Sequence, residues 1–257
     1  MRSVRPAACA VFALVGLSAC ATRVPTLEYE ILTTFPHDAG AYTQGLLFHD
    51  GYLFESTGQY GSSSLRKVDI ESGRVVARTA VDSTLFAEGL ALVDAELYQL
   101  TWKDGLVLVY DLETLERTRE YEYEGEGWGL CYDGASLYMS NGTSTLTRRD
   151  PSTFEVLEEV SVTAGGRAVP RLNELECLDD EIYANVYQTD RIVRIDKATG
   201  DVTGEIDGSG LSLMGGRPGG VDAVLNGIAY IPETGVLLLT GKLWSRVLAV
   251  RLADADE

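Results

Sequence analysis

The sequence predicts an all-β protein, a single five-bladed β-propeller with four-stranded antiparallel blades. Two repeated patterns predict this fold. The first is a turn of the form Asp-x-x-Ser/Thr, which follows an alternating apolar run at four positions: Asp69, Asp111, Asp150 and Asp196. The second is a short apolar motif, seen as TQGLLF, AEGLAL, GWGLCY, LNELEC and LNGIAY, which a turn connects to a further strand-like run. Together they define units of about 40 to 50 residues with four short strands, the size of a propeller blade.

The fifth unit predicts how the ring closes. It contains three strand-like runs, near residues 226–231, 235–240 and 246–252, and lacks an outer strand. The alternating segment TLEYEILTTF at residues 26–35 precedes the first complete blade and supplies that strand. Such closure leaves no open edge between the first and last blades. The glycine-rich stretch at residues 207–224 is too long for a blade turn, and it is either a functional loop over one face or a plain connector.

Composition restricts the class of protein. With 257 residues, 45% of them hydrophobic, the chain is long enough to bury a substantial core. Its formal net charge of −18 argues against nucleic acid as a partner, because the phosphates would be repelled.

The N-terminal segment MRSVRPAACAVFALVGLSAC has the pattern of an export signal, with two arginines before an apolar run that is too short for a stable membrane span. LSAC resembles a bacterial lipobox, which implies cleavage before Cys20 and lipidation of that thiol; the alternative is an ordinary signal with a chance cysteine. Thr22 in place of aspartate favours sorting to the outer membrane by analogy. We expect a signal peptide at 1–19, a lipidated linker at 20–25 and a propeller domain at 26–257. The protein would then be held on the periplasmic side of the outer membrane through its lipid alone.

The remaining cysteines and the histidines bear on disulfides and metals. Cys131 and Cys177 form either a disulfide, as an exported chain allows, or two free buried thiols. His37 and His49 are the two histidines and lack a metal-ligand spacing, and no CxxC motif occurs. We therefore expect neither a metal nor another cofactor.

Polar residues recur at the start of the first, innermost strand of each blade, where they should face one mouth of the central channel. The equivalent residues are Gln44, Glu88, Trp128, Asn173 and Asn226. Glycine follows in four blades, whereas the fourth blade has Glu174. Three aromatic residues lie near these positions: Tyr42, Phe86 and Trp102. Converging amides, a carboxylate and an indole favour a pocket for an amide-bearing ligand, although aromatic residues at strand ends are also typical of core packing.

Six segments carry a resemblance to a known family: FPHDAGAYTQGLLF, ESTGQYGSSSLRKVD, FAEGLAL, LNELEC, LNGIAY and TGKLW. Together they resemble the plant and bacterial type of glutaminyl-peptide cyclotransferase (glutaminyl cyclase), from about Tyr29 to Leu252. That family is a five-bladed propeller, unlike the zinc-dependent animal glutaminyl cyclases. The resemblance implies an enzyme that acts on peptides or proteins with N-terminal glutamine, converting it to pyroglutamate and ammonia. We expect a monomer, although the sequence itself does not give the oligomeric state.

The resemblance also implies roles for individual residues. The family's acid in FAEGL matches Glu88, and its glutamine in TQGL matches Gln44. Its pocket tryptophans match Trp102 and Trp128, its asparagine in LNELE matches Asn173 and its lysine in TGKLW matches Lys242. Two positions depart from the family pattern but stay aromatic: Tyr42, where phenylalanine is common, and Tyr187, where tryptophan is usual.

The chemistry of ring closure predicts a proton shuttle. The α-amine must be neutral to attack, and the departing nitrogen must gain a proton, so one acid between them can perform both transfers. We expect Glu88 to be that acid, with a pKa raised by an apolar mouth. Gln44, Asn173 and Lys242 would hydrogen-bond the substrate, while the aromatic residues pack around its methylenes. Glu174 is a second candidate acid, or else a structural carboxylate tied to a neighbouring blade or to Arg171.

Two other functions remain open at this point. A calcium-dependent propeller lactonase or hydrolase would need several oxygen ligands on one ion, and the candidates are Glu88, Asn173, Glu174 and Asn226. A non-catalytic, lipid-anchored propeller that binds a partner is the second alternative. Trp128 and Gln44 in the ring argue against the first, and the clustered amides argue against the second.

Overall fold

The computed structural model describes residues 24–253 and is built from five four-stranded antiparallel sheets. Strand β1 (Tyr29–Pro36) comes first in the chain but belongs to the last sheet. Blade 1 comprises β2 (Thr43–His49), β3 (Tyr52–Thr57), β4 (Ser64–Asp69) and β5 (Arg74–Ala80). Blade 2 comprises β6 (Ala87–Val93), β7 (Glu96–Thr101), β8 (Leu106–Asp111) and β9 (Arg117–Glu122).

The remaining blades follow the same order from the inside outward. Blade 3 comprises β10 (Leu130–Tyr132), β11 (Leu137–Ser140), β12 (Thr145–Arg149) and β13 (Val156–Ser161). A small hairpin follows, formed by β14 (Thr163–Ala164) and β15 (Arg167–Ala168). Blade 4 comprises β16 (Leu172–Leu178), β17 (Glu181–Val186), β18 (Arg191–Asp196) and β19 (Val202–Asp207). A 3₁₀ turn (Gly208–Gly210) and the short helix α1 (Leu211–Met214) lead to blade 5, with β20 (Leu225–Ile231), β21 (Val236–Gly241) and β22 (Arg246–Leu252).

The first strand of the chain closes the ring, as the sequence predicts. β1 pairs antiparallel with β22, in a register that runs from Tyr29 opposite Leu252 to Pro36 opposite Arg246. The inner strands β2, β6, β10, β16 and β20 contact one another in succession, and β20 contacts β2 again. The prediction of a five-bladed propeller completed by its N-terminal strand is therefore confirmed.

Aspartate turns connect the third and fourth strands of four blades. In blade 2 the Asp111 carboxylate accepts hydrogen bonds from the backbone N–H and the hydroxyl of Thr114, at 2.9 Å each. Comparable Ser or Thr contacts form at Asp69, Asp150 and Asp196. These bonds lower the pKa of each of the four carboxyl groups, since they favour its ionised form. The repeated motif thus marks one structural position in the blade.

The hydrophobic core lies between blades rather than in one central mass. Each of five apolar clusters combines residues from two neighbouring blades, including the pair formed by blades 5 and 1. Leu46 of β2 and Leu238 of β21, for example, belong to the cluster that joins the two ends of the ring. No blade buries its apolar faces alone, so each blade depends on both of its neighbours. Neither helix within residues 24–253 has the length and apolar character needed to cross a bilayer.

A disulfide joins two adjacent inner strands. Cys131 on β10 is bonded to Cys177 on β16, with 5.4 Å between their Cα atoms. Of the two alternatives that the sequence leaves open for these cysteines, the structure therefore shows the bonded pair. Cys20, the predicted lipidation site, lies outside the described residues.

Loss of this cross-link should destabilise the propeller. Replacing both cysteines by serine is expected to reduce the unfolding free energy by about 2–5 kcal/mol, because the bond restricts the unfolded chain over a separation of 46 residues. Guanidinium chloride unfolding, followed by tryptophan fluorescence, measures the difference. Reduced wild-type protein serves as the control and should match the double variant. Equal midpoints for the oxidised wild type and the variant would contradict the expectation.

Candidate active site

The predicted pocket residues sit where the inner strands depart from regular pairing. In four of these strands the register shifts at the start, and the shift encloses Gln44, Glu88, Asn173 and Asn226. In blade 3 the inner strand begins only at Leu130, so Trp128 precedes its ladder. A β-bulge redirects a side chain out of the regular alternation of a strand. The bulges therefore release these residues from strand pairing at one end of the axis.

Glycine after the bulged residue lets the inner strands approach one another closely. A Cβ atom on Gly45 would lie 2.5 Å from the backbone nitrogen of Leu90, and one on Gly129 would lie 1.9 Å from the carbonyl oxygen of Asn173. Neither contact is sterically possible, so a side chain there would force the blades apart. The recurring glycine is thus a requirement of packing around the axis.

Glu174 takes the place of this glycine in blade 4 and has a structural position. Its carboxylate accepts hydrogen bonds from the backbone N–H groups of Leu46 in blade 1, at 3.2 Å, and Ile228 in blade 5, at 2.8 Å. Burial raises the pKa of Glu174 well above its usual range, since the side chain is withdrawn from water. Glu174 ties three blades together and does not line the cavity described below. Of the two structural partners considered for it, neighbouring blades rather than Arg171 are the ones it contacts.

Asn226 also lies away from the cavity. It is fully buried, and its Nδ2 donates a hydrogen bond to the carbonyl oxygen of Thr43 at 3.0 Å. This bond joins the inner strand of blade 5 to the residue that precedes Gln44. Asn226 occupies the same position in the repeat as the cavity residues, but its side chain forms a hydrogen bond between two blades. The expectation that Glu174 and Asn226 line the pocket is therefore corrected by their positions.

A cavity of about 200 Å³ opens at this end of the axis. Nine of the eleven predicted site residues line it: Tyr42, Gln44, Phe86, Glu88, Trp102, Trp128, Asn173, Tyr187 and Lys242. Trp102, Tyr187 and Lys242 each immediately follow the second strand of a blade. In an antiparallel pair, the end of the second strand lies beside the start of the first. The residues that follow the second strands therefore meet those at the starts of the first strands at the same mouth of the channel.

A chain of hydrogen bonds connects three polar side chains of the cavity. Lys242 Nζ donates to Gln44 Oε1, and Gln44 Nε2 donates to Glu88 Oε1 at 3.0 Å. All three residues are almost completely buried, with Glu88 5% and Lys242 2% exposed. The lysine therefore orients the glutamine amide so that its NH₂ group faces the carboxylate.

Burial also determines the pKa values of the two ionisable groups in this hydrogen-bonded chain, Glu88 and Lys242. Desolvation raises the pKa of Glu88 well above its ordinary value; the positive charge of Lys242 opposes the rise, and the negative charge of Glu126 adds to it. Desolvation lowers the pKa of Lys242 to about 8, although Glu88 and other nearby acids act in the opposite direction. A carboxyl group with a raised pKa holds a proton more firmly than an ordinary one, which suits it to accepting a proton and returning it.

Glu126 is a site residue that the sequence analysis missed. Its Oε2 accepts hydrogen bonds from the indole nitrogens of Trp102, at 2.8 Å, and Trp128, at 3.0 Å. One carboxylate thus holds two walls of the cavity in place. In the sequence Glu126 is the last acid of the stretch YEYEGEG, where it is indistinguishable from a solvated surface charge.

Aromatic rings form the walls of the cavity. Phe86 contacts Tyr42 and Trp102 in edge-to-face geometry, with ring centroids 6.2 and 5.6 Å apart, and Trp128 meets Tyr187 at 5.4 Å. Tyr60, which the sequence analysis did not single out, packs against Phe86 from outside at 5.3 Å. Such walls suit a short, flexible methylene chain, which makes apolar contacts on several sides.

A buried polar network supports the cavity from behind. His37 Nε2 lies 3.0 Å from Glu55 Oε1, which also accepts a hydrogen bond from the Thr43 hydroxyl at 2.7 Å. His37 Nδ1 lies 2.7 Å from the carbonyl oxygen of Trp244. Thr43 precedes Gln44 and Trp244 follows Lys242 by two residues, so the network holds the segments that carry both hydrogen-bonded side chains. From the sequence, His37 was evaluated only as a metal ligand, and Glu55 was not among the predicted site residues.

The charges of this pair are mutually stabilised. Burial alone would lower the pKa of His37, but Glu55 outweighs it and the pKa of His37 is raised. Burial alone would raise the pKa of Glu55, but His37 and Arg66 outweigh it and the pKa of Glu55 is lowered. Within residues 24–253 no group of three or more His, Cys, Asp or Glu side chains is arranged to hold a metal ion.

Fold and cavity together define the class of protein: a five-bladed propeller with a small pocket of amides, a buried carboxylate and indoles at one end of its axis. The sequence profile of the glutamine cyclotransferase family matches residues 6–252. The chain therefore belongs to the glutamine cyclotransferase family.

Similar proteins agree with this assignment. The glutaminyl-peptide cyclotransferase of Arabidopsis thaliana is 44% identical over 233 residues, which cover 89% of this chain and 72% of the plant protein. The crystal structure of the Myxococcus xanthus glutaminyl cyclase is similar with a TM-score of 0.85 and 42% identity, over 90% of this chain and 98% of that one. The propeller domain of Cps50 (Swd1) from Myceliophteria thermophila matches 88% of this chain and all of that one, with a TM-score of 0.51 and 10% identity, and shows the fold alone.

The buried His37–Glu55 ion pair should make a contribution to stability that depends on pH. Glu55, with a lowered pKa, contributes stability above its ordinary value of 4.5, and His37, with a raised pKa, contributes stability below its ordinary value of 6.5. The unfolding free energy lost in His37→Gln should therefore be largest between pH 4.5 and 6.5. It should shrink as the pH rises through the raised pKa of His37 or falls through the lowered pKa of Glu55.

Urea unfolding of both proteins across the pH range measures this difference. His49→Gln, which changes the half-buried histidine at the end of β2 and leaves the His37–Glu55 pair intact, is the matched control. A His37→Gln penalty that stays constant with pH would refute the charge-based contribution.

Proposed function

We propose that this protein converts the N-terminal glutamine of peptides or proteins to pyroglutamate, with release of ammonia, and that Glu88 moves the proton. The observation that carries this proposal is the buried Lys242–Gln44–Glu88 chain inside an aromatic cavity. Membership of the glutamine cyclotransferase family supports the same activity. The reaction is a transfer of an acyl group from the side-chain amide nitrogen to the α-nitrogen.

The cavity would hold the glutamine side chain folded. Its volume of about 200 Å³ suits one side chain rather than a larger ligand, and its aromatic walls pack around the two methylenes. The reacting amine and amide already share one molecule, so freezing the rotatable bonds between them raises their effective concentration. Asn173 Oδ1 is buried and has no hydrogen-bond partner within residues 24–253, so it is available to accept a bond from a substrate N–H group.

The proposed reaction requires the transfer of one proton, from the attacking α-nitrogen to the departing amide nitrogen. The neutral α-amine, with a pKa of about 7.7–8.0 in model peptides, attacks the side-chain amide carbon, and a new carbon–nitrogen bond forms. The Glu88 carboxylate takes a proton from the attacking nitrogen and gives it to the amide nitrogen. The bond from the amide carbon to that nitrogen then breaks, and ammonia leaves. Lys242 lines the cavity with N–H donors beyond the one used by Gln44, and we assign it to the developing oxyanion.

Removing the shuttle should abolish turnover without unfolding the protein. Glu88→Gln keeps the side-chain size but cannot exchange the proton, so kcat is expected to fall by about 10²- to 10⁴-fold. Ammonia release from a peptide with N-terminal glutamine, together with a mass loss of about 17 Da, measures the reaction. Glu122→Gln on the exposed strand β9 is a control for the loss of one carboxylate. Near-wild-type activity in Glu88→Gln would exclude the shuttle.

Two neighbouring charges should move the pKa of Glu88 in opposite directions. The positive charge of Lys242 lowers this pKa, so Lys242→Met should shift the acid limb of the kcat/KM profile to higher pH. The negative charge of Glu126 raises it, so Glu126→Gln should shift the same limb to lower pH. The free substrate is the same for every enzyme, so the titration of its α-amine contributes equally to each kcat/KM profile. A difference between two profiles therefore comes from the enzyme. Shifts in the same direction would contradict the assignment of this limb to Glu88.

The calcium-dependent alternative is less well supported by the geometry. It requires Glu88, Asn173, Glu174 and Asn226 around one ion, whereas Glu174 and Asn226 bond to backbone groups between blades. A binding propeller without catalysis leaves unexplained why a carboxylate is buried at the cost of desolvation. The cyclotransferase reaction uses that buried acid directly.

We also propose that the enzyme is exported and lipidated on Cys20, and that it acts as a monomer on the periplasmic side of the outer membrane. The support is in the sequence, where an apolar run ends in LSAC before the propeller begins. The domain boundaries proposed with it are 1–19, 20–25 and 26–257. Membrane contact in this proposal is made by the lipid alone.

A further inference from the structure

A second cavity adjoins the candidate active site. It has a volume of about 340 Å³ and shares the Tyr42 side chain with the first cavity. We name it the Arg78 groove, and its main lining residues are Tyr42, Gly58, Gln59, Arg66, Arg78 and Asp222. Asp222 lies near the end of the glycine-rich stretch 207–224, so this stretch reaches the face of the propeller that holds the site.

One wall of the groove is held in a strained backbone conformation. Gln59 has a φ of 126°, in a region that residues with a side chain rarely adopt. Its carbonyl oxygen accepts hydrogen bonds from the backbone N–H groups of Ser62, at 3.0 Å, and Ser63, at 2.8 Å. Strain of this kind persists only where surrounding contacts impose it, and it occurs preferentially at ligand-binding sites.

The same wall is packed directly against the catalytic cavity. The backbone N–H of Gly58 donates to the carbonyl oxygen of Tyr42 at 2.9 Å. A Cβ atom on Gly58 would lie 2.2 Å from the Phe86 ring, so only glycine fits there. The groove is therefore a fixed continuation of the substrate pocket, with Tyr42 as their common wall.

The groove carries one arginine whose charge is not neutralised locally. Arg66 is paired with Asp38 at 2.8 Å and lies near Glu55 at 3.9 Å. Arg78 is exposed and makes a long hydrogen bond of 3.4 Å to the carbonyl oxygen of Ser62. Within residues 24–253 no carboxylate lies within ion-pair distance of Arg78, although the chain carries a formal charge of −18. The guanidinium is thus available to an external carboxylate.

The direction of a bound peptide follows from the chemistry of the pocket. The glutamine side chain must enter the cavity and its α-amine must reach Glu88, so the following peptide bond has to leave the cavity. Tyr42 separates the cavity from the groove, and an extended chain advances about 3.3–3.6 Å per residue. The groove therefore lies within reach of the second and third residues of a substrate whose glutamine side chain fills the cavity.

We propose that the Arg78 groove binds the chain that follows the N-terminal glutamine and that Arg78 selects substrates with a carboxylate in that chain. This inference rests on the proposed cyclotransferase activity and adds a substrate preference to it. Asp222 is the acid among the groove residues and disfavours a carboxylate beside it. The preference should accordingly depend on whether the acidic residue is second or third.

Matched peptides test the proposal. The kcat/KM values are compared at low ionic strength for Gln-Ala-Ala-amide, Gln-Asp-Ala-amide, Gln-Ala-Asp-amide and Gln-Ala-Ala with a free C-terminus. The amides restrict the carboxylate to a side chain, and the free acid supplies it from the C-terminus. For the wild type we expect at least one carboxylate-bearing peptide to exceed the neutral amide by about two- to five-fold, the range of an exposed ion pair. Added salt should reduce this ratio.

Variants assign the preference to the groove. Arg78→Gln should bring the ratio to about one, whereas Arg74→Gln, on the same strand β5 and outside the groove, should leave it unchanged. Equal kcat/KM values for all four peptides with the wild type, or a preference that survives in Arg78→Gln, would overturn the groove proposal while leaving the cyclotransferase activity intact. A wild-type enzyme that releases no ammonia from any of the peptides would overturn both.

Discussion

Closure of the ring by the β1–β22 pair is the constraint on which the rest of this protein depends. Each blade has apolar faces that only its neighbours cover, so the last blade must be completed before the first can be fully buried. Closure then brings five inner strands together around one axis. Their separation is so small that glycine is required at the contact points, and Glu174 is accommodated because backbone N–H groups of two other blades receive its carboxylate.

The burial of the Glu88 carboxyl group is a consequence of the same close packing of the inner strands. Glu88 is buried at the end of the axis where residues from all five blades line the cavity, and burial raises its pKa well above the ordinary value. Lys242 and Gln44 orient the site from blades 5 and 1, whereas Glu126 holds two indoles in place from the segment between blades 2 and 3. Glu88 therefore owes its raised pKa to its surroundings more than to its own position in the chain.

Sequence repeats predicted the blades and most of the cavity because both are periodic. A bulge at the start of each inner strand returns once per blade, so aligned motifs located Gln44, Glu88 and Asn173 directly. The same alignment wrongly placed Glu174 and Asn226 in the pocket, since it specifies a position in the strand but not which neighbour the side chain meets. Glu126 and the His37–Glu55 pair were missed, because their contacts do not recur from blade to blade and an alignment of repeated motifs does not point to them.

By itself, the sequence determined the all-β class, the number of blades, the N-terminal strand that completes the ring and the identity of most cavity residues. The class, the blades and the closing strand depend on alternating polarity and turn chemistry, which are local properties of the chain, and the cavity residues follow from the aligned repeats and the family resemblance. The tertiary structure alone decided that Cys131 bonds to Cys177, that Glu174 is structural and that Arg78 is without a carboxylate partner in the described chain. Each of these is a contact between separate strands, blades or loops, and distances across the propeller exist only once it has closed.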